Sequence, residues 1–151
     1  MIWPSMSQDA HQASDVEVRL VKTWDVEEIV GIYRAAGWWK DSYDPAGIEP
    51  LIRGSFAYAV AVDPKTSRAV GMGRVISDGV SDGYIQDLAV LPEYRKAGIG
   101  GRIVSALVDR CKAAGLQWIG LIAEPGSVDF HENNGFRIMP GHIPMLYQGE
   151  L

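Results

Sequence analysis

A glycine-rich loop between a predicted strand and a predicted helix constrains this chain more than any other stretch. The alternating run that ends at Val90 is followed by the turn signal Leu91-Pro92, and residues 95–101 then read Arg-Lys-Ala-Gly-Ile-Gly-Gly before a helical pattern begins. The first amides of a helix have no intrahelical acceptor, and glycines keep side chains away from the main chain. The loop therefore predicts an anion-binding site at the start of a helix.

Length and composition predict one domain. The 151 residues, 47% of them hydrophobic, are enough for a single core. Residues 1–14 are predicted as a tail and residues 15–151 as the domain. Because no apolar run approaches a membrane span and the first residues lack a signal-peptide pattern, we expect no membrane partner and a cytoplasmic location. The one cysteine, Cys111, falls at a helix-spaced apolar position, which predicts a buried thiol, no disulfide and no metal cluster.

Charge is unevenly distributed along the chain. The formal net charge is −5, yet residues 95–112 contain five basic side chains and one acidic side chain. An acidic protein is unsuited to non-specific nucleic-acid binding, which depends on an excess of Lys and Arg. The local basic segment instead predicts a small polyanionic ligand.

Hydrophobic periodicity predicts an α/β or α+β fold with a mixed sheet. Gly71 and Gly73 interrupt a strand pattern and predict a bulge or close packing. The predicted strands cover residues 16–20, 56–62, 69–76, 84–90, 118–123, 136–139 and 143–147. The predicted helices cover residues 26–36, 48–53, 99–114 and 128–134.

Spacing excludes two common glycine loops. A Walker-type loop needs Lys followed by Ser or Thr after its last glycine, whereas Gly101-Arg102 follows Gly100. A dinucleotide-binding fingerprint that starts at Gly98 needs a glycine where Ile103 stands. The pattern that remains is Gln/Arg-x-x-Gly-x-Gly/Ala over residues 95–100, with residues 130–136, Phe-His-Glu-Asn-Asn-Gly-Phe, further on. From about residue 16 onward, the chain resembles the GNAT superfamily of acyl-CoA-dependent N-acyltransferases.

The resemblance implies a fold, an activity and a coenzyme site. The fold would be a central mixed, mostly antiparallel sheet flanked by helices. The activity would be direct transfer of an acetyl group from acetyl-CoA to a primary amine of a small molecule. The amides of residues 96–101 would hold the pyrophosphate, and the main chain of residues 88–90 would pair with the pantetheine arm. The implied coenzyme contacts are Leu88, Ala89, Val90, Arg95, Lys96, Ala97, Gly98, Ile99, Gly100, Gly101 and Phe130.

The resemblance also indicates catalytic candidates. His131 occupies the position where family members often carry a tyrosine acid, and it could donate a proton if its neighbours raise its pKa; the alternative is a helix histidine without a role. Tyr84 and Gln86 are implied to face the substrate. Glu124 and Asp78, at strand ends, could accept a proton through water, or the amine could arrive already neutral. Asp87 is expected to point to the other face unless a bulge re-aims it.

Further motifs resemble the branch of plastid and bacterial arylalkylamine (serotonin) N-acetyltransferases. They include residues 71–74, Gly-Met-Gly-Arg, and residues 140–145, Pro-Gly-His-Ile-Pro-Met. In this interpretation the substrate-binding residues are Trp38, Trp39, Arg74 and Asp78, with Tyr43 beside the tryptophans. Packing of at least one tryptophan against the first helix is the alternative. A protein lysine or N-terminal acetyltransferase, a non-catalytic acyl-CoA-binding module and a homodimer are also left open.

Overall fold

A computed structural model describes residues 15–150; the predicted tail at residues 1–14 lies outside this range. The strands are β1 (Glu17–Leu20), β2 (Ala57–Asp63), β3 (Arg68–Ile76), β4 (Asp82–Val90) and β5 (Trp118–Leu121). The helices are α1 (Val26–Ala35), α2 (Ile48–Gly54), α3 (Ile99–Ala113) and α4 (Val128–Asn133), with single 3-10 turns at Pro45–Gly47 and Pro92–Tyr94. None of the helices within residues 15–150 has the length and hydropathy that a bilayer crossing requires.

The strands form one sheet in the order β1-β2-β3-β4-β5. β1 to β4 pair antiparallel in sequence, and β5 pairs parallel with β4. A parallel neighbour needs a long crossover, which α3 supplies between β4 and β5. The predicted mixed, mostly antiparallel sheet flanked by helices is thus confirmed.

Each face of the sheet carries its own core. α1 and α2 cover one face, and α3 covers the other with a buried stripe that includes Ile103, Leu107 and Cys111. A Cβ atom added at Gly71 or Gly73 would lie 3.0 Å from carbons of the Ile103 side chain. These glycines therefore let α3 lie close to β3, as close packing predicts. Burial also raises the pKa of the Cys111 thiol, as expected for the buried thiol that the spacing predicted.

A β-bulge interrupts the pairing of β3 with β4. Met72 pairs with Ala89, whereas Arg74 pairs with Gln86, so two residues of β4 lie opposite one residue of β3. Asp87, inside the bulge, has a φ of +58°, a left-handed conformation that non-glycine residues seldom adopt. The bulge turns the Asp87 side chain toward α1. The sequence predicted that Asp87 would point to the other face unless a bulge re-aimed it, and the structure contains such a bulge.

Two predicted strands do not form. Residues 136–139 and 143–147 have no strand pairing, and the predicted strand at residues 118–123 ends at Leu121. The alternation of Ile143 and Met145 fits a strand, but these side chains are 79% and 91% exposed. A strand needs a hydrogen-bonded neighbour. Within residues 15–150, nothing pairs with the edge of β5 that faces away from β4.

Candidate active site

The sheet opens between β4 and β5. β5 pairs with β4 only over residues 82–85, whereas β4 continues to Val90. The edge of residues 86–90 that faces β5 therefore lacks a strand neighbour in the described part of the chain. A cleft of about 770 Å³ lies along this edge and reaches the start of α3. An extended ligand can pair with the free edge as an added strand would.

A cradle of main-chain amides lies at one end of the cleft. Within residues 15–150, no backbone carbonyl or side chain accepts a hydrogen bond from the amides of residues 96–101, and the first bond of α3 runs from Arg102 N to Gly98 O (3.2 Å). Lys96 and Gly98 have φ values of +63° and +80°. Left-handed residues next to a helix start direct successive N–H groups into a concave surface that suits an anion.

The glycines of the loop serve different purposes. Gly98 needs its left-handed conformation, and an added Cβ there would meet no atom within 4 Å. An added Cβ at Gly100 would lie 3.2 Å from Cζ of Phe130, and one at Gly101 would lie 2.9 Å from Oδ1 of Asn134. Gly100 and Gly101 thus bring α4 close to the start of α3, and Gly98 shapes the cradle. From the sequence alone, all three glycines were predicted to let a ligand approach the main chain.

Two polar contacts hold the loop in place. Tyr94 Oη donates to Asp63 Oδ2 (2.6 Å), and Asp63 is only 3% exposed. This hydrogen bond to the carboxylate raises the pKa of Tyr94 to about 12. Arg95 Nε donates to the carbonyl of Val90 (2.9 Å), which places the guanidinium at the mouth of the cleft. The loop is therefore tied both to β4 and to the β2–β3 turn.

The cleft brings together most of the predicted site residues. Those that border it are Trp38, Tyr84, Gln86, Leu88, Ala89, Val90, Arg95, Lys96, Gly98, Ile99, Gly100, Gly101, Glu124, Phe130 and His131. Those that do not border it are Trp39, Arg74, Asp78 and Ala97. Sequence reasoning missed Tyr94 and Leu146 and did not choose Asp87, all of which border the cleft.

His131 differs from what an acid role requires. Burial lowers the pKa of its imidazole, whereas proton donation at neutral pH needs the pKa raised. The rings of Phe130 and Phe136 approach it edge-on, with centroid distances of 5.1 and 6.0 Å. Nδ1 is buried without a hydrogen-bond partner within residues 15–150. Burial therefore favours the neutral ring, which lacks the proton that an acid would donate.

Arg74 pairs with protein groups. Its Nε donates to Asp87 Oδ2 (2.7 Å) and its Nη2 to Gln86 Oε1 (3.0 Å), with the side chains of Arg74 and Asp87 each 17% exposed. Tyr33 Oη donates to the same Asp87 oxygen (2.7 Å). Burial is the main cause that raises the pKa of Tyr33 far above its usual value, and the nearby Tyr58 and Asp87 add to it. Arg74 thus orients Asp87 and Gln86, and its predicted contact with the substrate stays a prediction.

Two other residues predicted to bind the substrate lie outside the cleft. Asp78 accepts from the amides of Ser81 (2.9 Å) and Val80 (2.8 Å) in the β3–β4 turn, and these hydrogen bonds lower its pKa. It stabilises a turn outside the cleft. Trp39 packs against the α1 core and meets Tyr43 edge-on at 5.5 Å, which confirms the packing alternative for one tryptophan.

Comparison with known proteins gives the family. The model of the acetyltransferase (GNAT) family matches residues 18–136. The chain is 28% identical to "Uncharacterized N-acetyltransferase ycf52-like" of Prochlorococcus marinus, over 80% of this chain and 67% of that protein. It is 26% identical to "GCN5-related N-acetyltransferase 1, chloroplastic" of Arabidopsis thaliana, over 83% of this chain and 62% of that protein. It is 33% identical to "Serotonin N-acetyltransferase 2, chloroplastic" of Oryza sativa, over 50% of this chain and 38% of that protein.

Solved structures share the fold. A GNAT family acetyltransferase of Streptococcus pneumoniae superposes with a TM-score of 0.75 at 26% identity, covering 90% of this chain and 99% of the other. The structure of AAC(6')-Iy in complex with a CoA-containing bisubstrate analogue superposes with a TM-score of 0.70 at 16% identity, over 90% of this chain and 99% of the other. With the family model matched over most of the domain, this chain belongs to the GNAT family of acetyltransferases.

Proposed function

We propose that this protein transfers the acetyl group of acetyl-CoA to the primary amine of a small arylalkylamine. The observation that carries the proposal is the amide cradle of residues 96–101 beside the free edge of β4. Backbone donors at a helix start suit a diphosphate, and a free strand edge suits a chain of amides. Coenzyme A combines both groups in one molecule.

The residues present fit the coenzyme. The cradle, with Arg95 and Lys96 at its rim, offers N–H donors and positive charge to the pyrophosphate. The main chain of residues 88–90 has no strand neighbour on the cleft side and could pair with the pantetheine arm, although the Val90 carbonyl already accepts from Arg95. The thioester would supply the activated acetyl group, and a main-chain N–H of β4 would donate to its carbonyl oxygen.

Proton transfer falls to side chains further along the cleft. A primary amine is protonated in neutral water and has to lose a proton before it can attack. Glu124 is exposed at the cleft, and the neutral imidazole of His131, which also borders it, is a second acceptor. We assign the role of general base to Glu124 and His131. Tyr84 and Gln86 would position the amine.

The same cleft supports an aromatic amine. Trp38 borders it, with Tyr33 behind at a centroid distance of 6.4 Å, and Asp87 faces it from β4. An aromatic face and a carboxylate recognise the two ends of an arylalkylammonium ion. The relative named as a serotonin N-acetyltransferase supports this class over half of the chain.

Calorimetry and thiol release test the proposal together. We expect acetyl-CoA to bind, and Arg95→Ala with Lys96→Ala to weaken binding at least about tenfold, which corresponds to about 1.4 kcal/mol. Lys112→Ala, an exposed cation at the other end of α3, is the matched control. Tryptamine and phenethylamine should accelerate release of free thiol more than polyamines, aminoglycosides or lysine peptides.

Each alternative predicts its own result. Binding of acetyl-CoA without thiol release from any amine would identify a non-catalytic acyl-CoA-binding module. A preference for lysine peptides or protein N-termini would identify a protein acetyltransferase. Trp38→Ala should raise the KM for arylalkylamines by about tenfold, whereas Tyr43→Ala, outside the cleft, should leave it unchanged.

A cytoplasmic location is part of the proposal. The buried, unpaired Cys111 suits a reducing compartment. Three of the relatives are named as chloroplastic. Immunoblotting of fractionated source cells would distinguish the cytoplasm from an organelle.

A further inference from the structure

We propose that Arg95 couples the two halves of the coenzyme site: a diphosphate draws its guanidinium away from the carbonyl of Val90, and this carbonyl then accepts from the pantetheine arm. The inference rests on the proposed function, because it assumes that the cleft binds an acyl-CoA. It makes Arg95 a specificity-determining residue. A thioester without the diphosphate has to compete with the protein's own side chain for the edge of β4.

The carbonyl of Val90 points into the cleft. Leu91 N donates to Val70 O (2.8 Å), so the N–H of the peptide group that joins Val90 to Leu91 points toward β3. In a planar trans peptide group the C=O points in the opposite direction. Val90 O therefore lies on the free edge of β4, where the amide N–H of an extended ligand would donate to it.

Arg95 already uses this acceptor. Its Nε donates to Val90 O at 2.9 Å, and its side chain borders the cleft into which that carbonyl points. A carbonyl oxygen has two lone pairs, but the planar guanidinium occupies space on the edge along which the arm would lie. A ligand that pairs with Val90 O therefore has to displace Arg95.

A diphosphate is the stronger partner for this guanidinium. Arg95 is exposed, and within residues 15–150 no carboxylate forms an ion pair with it. A carbonyl offers a single neutral acceptor, whereas a phosphate group accepts two parallel hydrogen bonds from the guanidinium and carries the opposite charge. The amide cradle begins at the next residue, Lys96. A diphosphate held there therefore attracts the Arg95 side chain and frees the edge of β4.

Two acetyl thioesters separate these effects in binding titrations of the full chain. Acetyl-CoA carries the diphosphate, and acetyl-pantetheine carries the same arm without it. Arg95→Ala should weaken the binding of acetyl-CoA by about threefold or more, yet tighten that of acetyl-pantetheine by about three- to tenfold, because Val90 O is released. Lys96→Ala is the matched control, because Lys96 has the same charge and borders the same cleft, whereas the hydrogen bond to Val90 O belongs to Arg95. It should weaken acetyl-CoA and leave acetyl-pantetheine unchanged.

Nitrogen NMR of the wild-type protein follows the exchange of partners directly. The Arg95 Nε resonance should shift when coenzyme A or inorganic pyrophosphate is added, together with the amides of residues 96–101. Shifted amides with an unchanged Nε resonance would overturn the coupling and leave the proposed function intact. Weaker binding of both thioesters to Arg95→Ala would also overturn it. Failure of coenzyme A to bind the wild-type protein at all would overturn the proposed function as well.

Discussion

At the scale of single residues, Asp87 determines how the polar side of the cleft is arranged. Its left-handed backbone creates the bulge, and its Oδ2 receives hydrogen bonds from Arg74 and Tyr33. Gln86 is fixed in turn through Arg74. One strained position thus links α1, β3 and β4, and strain of this kind is usually found at functional sites.

Asp87→Asn tests the importance of this charge. Asn tolerates the left-handed conformation, so the substitution removes the charge without adding backbone strain. Arg74 would be left largely buried without its counter-ion, and we expect unfolding to become easier by about 1–3 kcal/mol. Arg53→Ala, which breaks the exposed pair with Glu49, should cost no more than about 0.5 kcal/mol. Urea denaturation measures both; equal losses would contradict the prediction.

His131 predicts a pH dependence of stability. Burial lowers its pKa in the folded protein, whereas the unfolded chain keeps a value of about 6.5. As pH falls below that value, the unfolded chain binds a proton that the folded protein resists, so the free energy of unfolding should decrease. His131→Gln should remove this part of the slope between pH 7.5 and 5.5 in urea denaturation. His142→Gln, an exposed histidine, should retain it; an unchanged slope in His131→Gln would refute the prediction.

At the scale of secondary-structure elements, the contact between α3 and β3 positions the cradle. α3 begins at the cradle and lies on the sheet through Ile103 and Leu107, whose side chains occupy the space above Gly71 and Gly73. The close approach of helix and strand thus brings the amide-rich start of α3 next to the free edge of β4. Larger side chains on β3 would move the helix away.

Two glycine substitutions should act in opposite directions. An added Cβ at Gly73 would lie 3.0 Å from Ile103 and 3.1 Å from Leu107, so Gly73→Ala should destabilise the fold by about 1–3 kcal/mol. Gly31, inside α1, has no atom within 4 Å of an added Cβ, and Gly31→Ala should stabilise by about 0.5–1 kcal/mol. Thermal denaturation checks both signs. A stabilising Gly73→Ala would show that α3 is not held against β3 as described.

At the scale of the whole molecule, the cleft is the place where the sheet is least continuous. β4 and β5 share only four residue pairs, and their separation beyond Ile85 leaves main-chain groups of β4 without partners. A ligand that lies between the two strands would replace the missing pairing. Coenzyme binding should therefore stabilise the molecule as a whole.

A molecule-wide shift in stability follows from this. At a hundredfold excess over its dissociation constant, coenzyme A should stabilise the fold by about 2.7 kcal/mol, or roughly 5–10 °C in Tm. Hydrogen exchange should slow most at residues 86–101 and 118–121 and least in the β3–β4 turn at residues 77–81, which lies outside the cleft. Uniform protection, or protection absent from residues 96–101, would place the coenzyme elsewhere.

Much of the fold and of the candidate site was predictable because local patterns encode them. The helix start at Ile99 and the sequential strands β1 to β4 follow from periodicity and turn chemistry. The direction of the Asp87 side chain was harder to predict, because it depends on a one-residue bulge. The role of Arg74 was missed because its partners lie 12 and 13 residues away on a neighbouring strand.

The sequence by itself determined the order of elements, the buried stripe of α3 and the row of amides at residues 96–101, because these depend on neighbours a few residues apart. Only the tertiary structure decided the bulge at Asp87, the lowered pKa of His131 and the unpaired state of residues 136–147. Each of these depends on which distant groups come into contact. An alternating pattern, in particular, indicates that a segment can form a strand. Whether the strand forms depends on whether the fold places a neighbouring strand beside it.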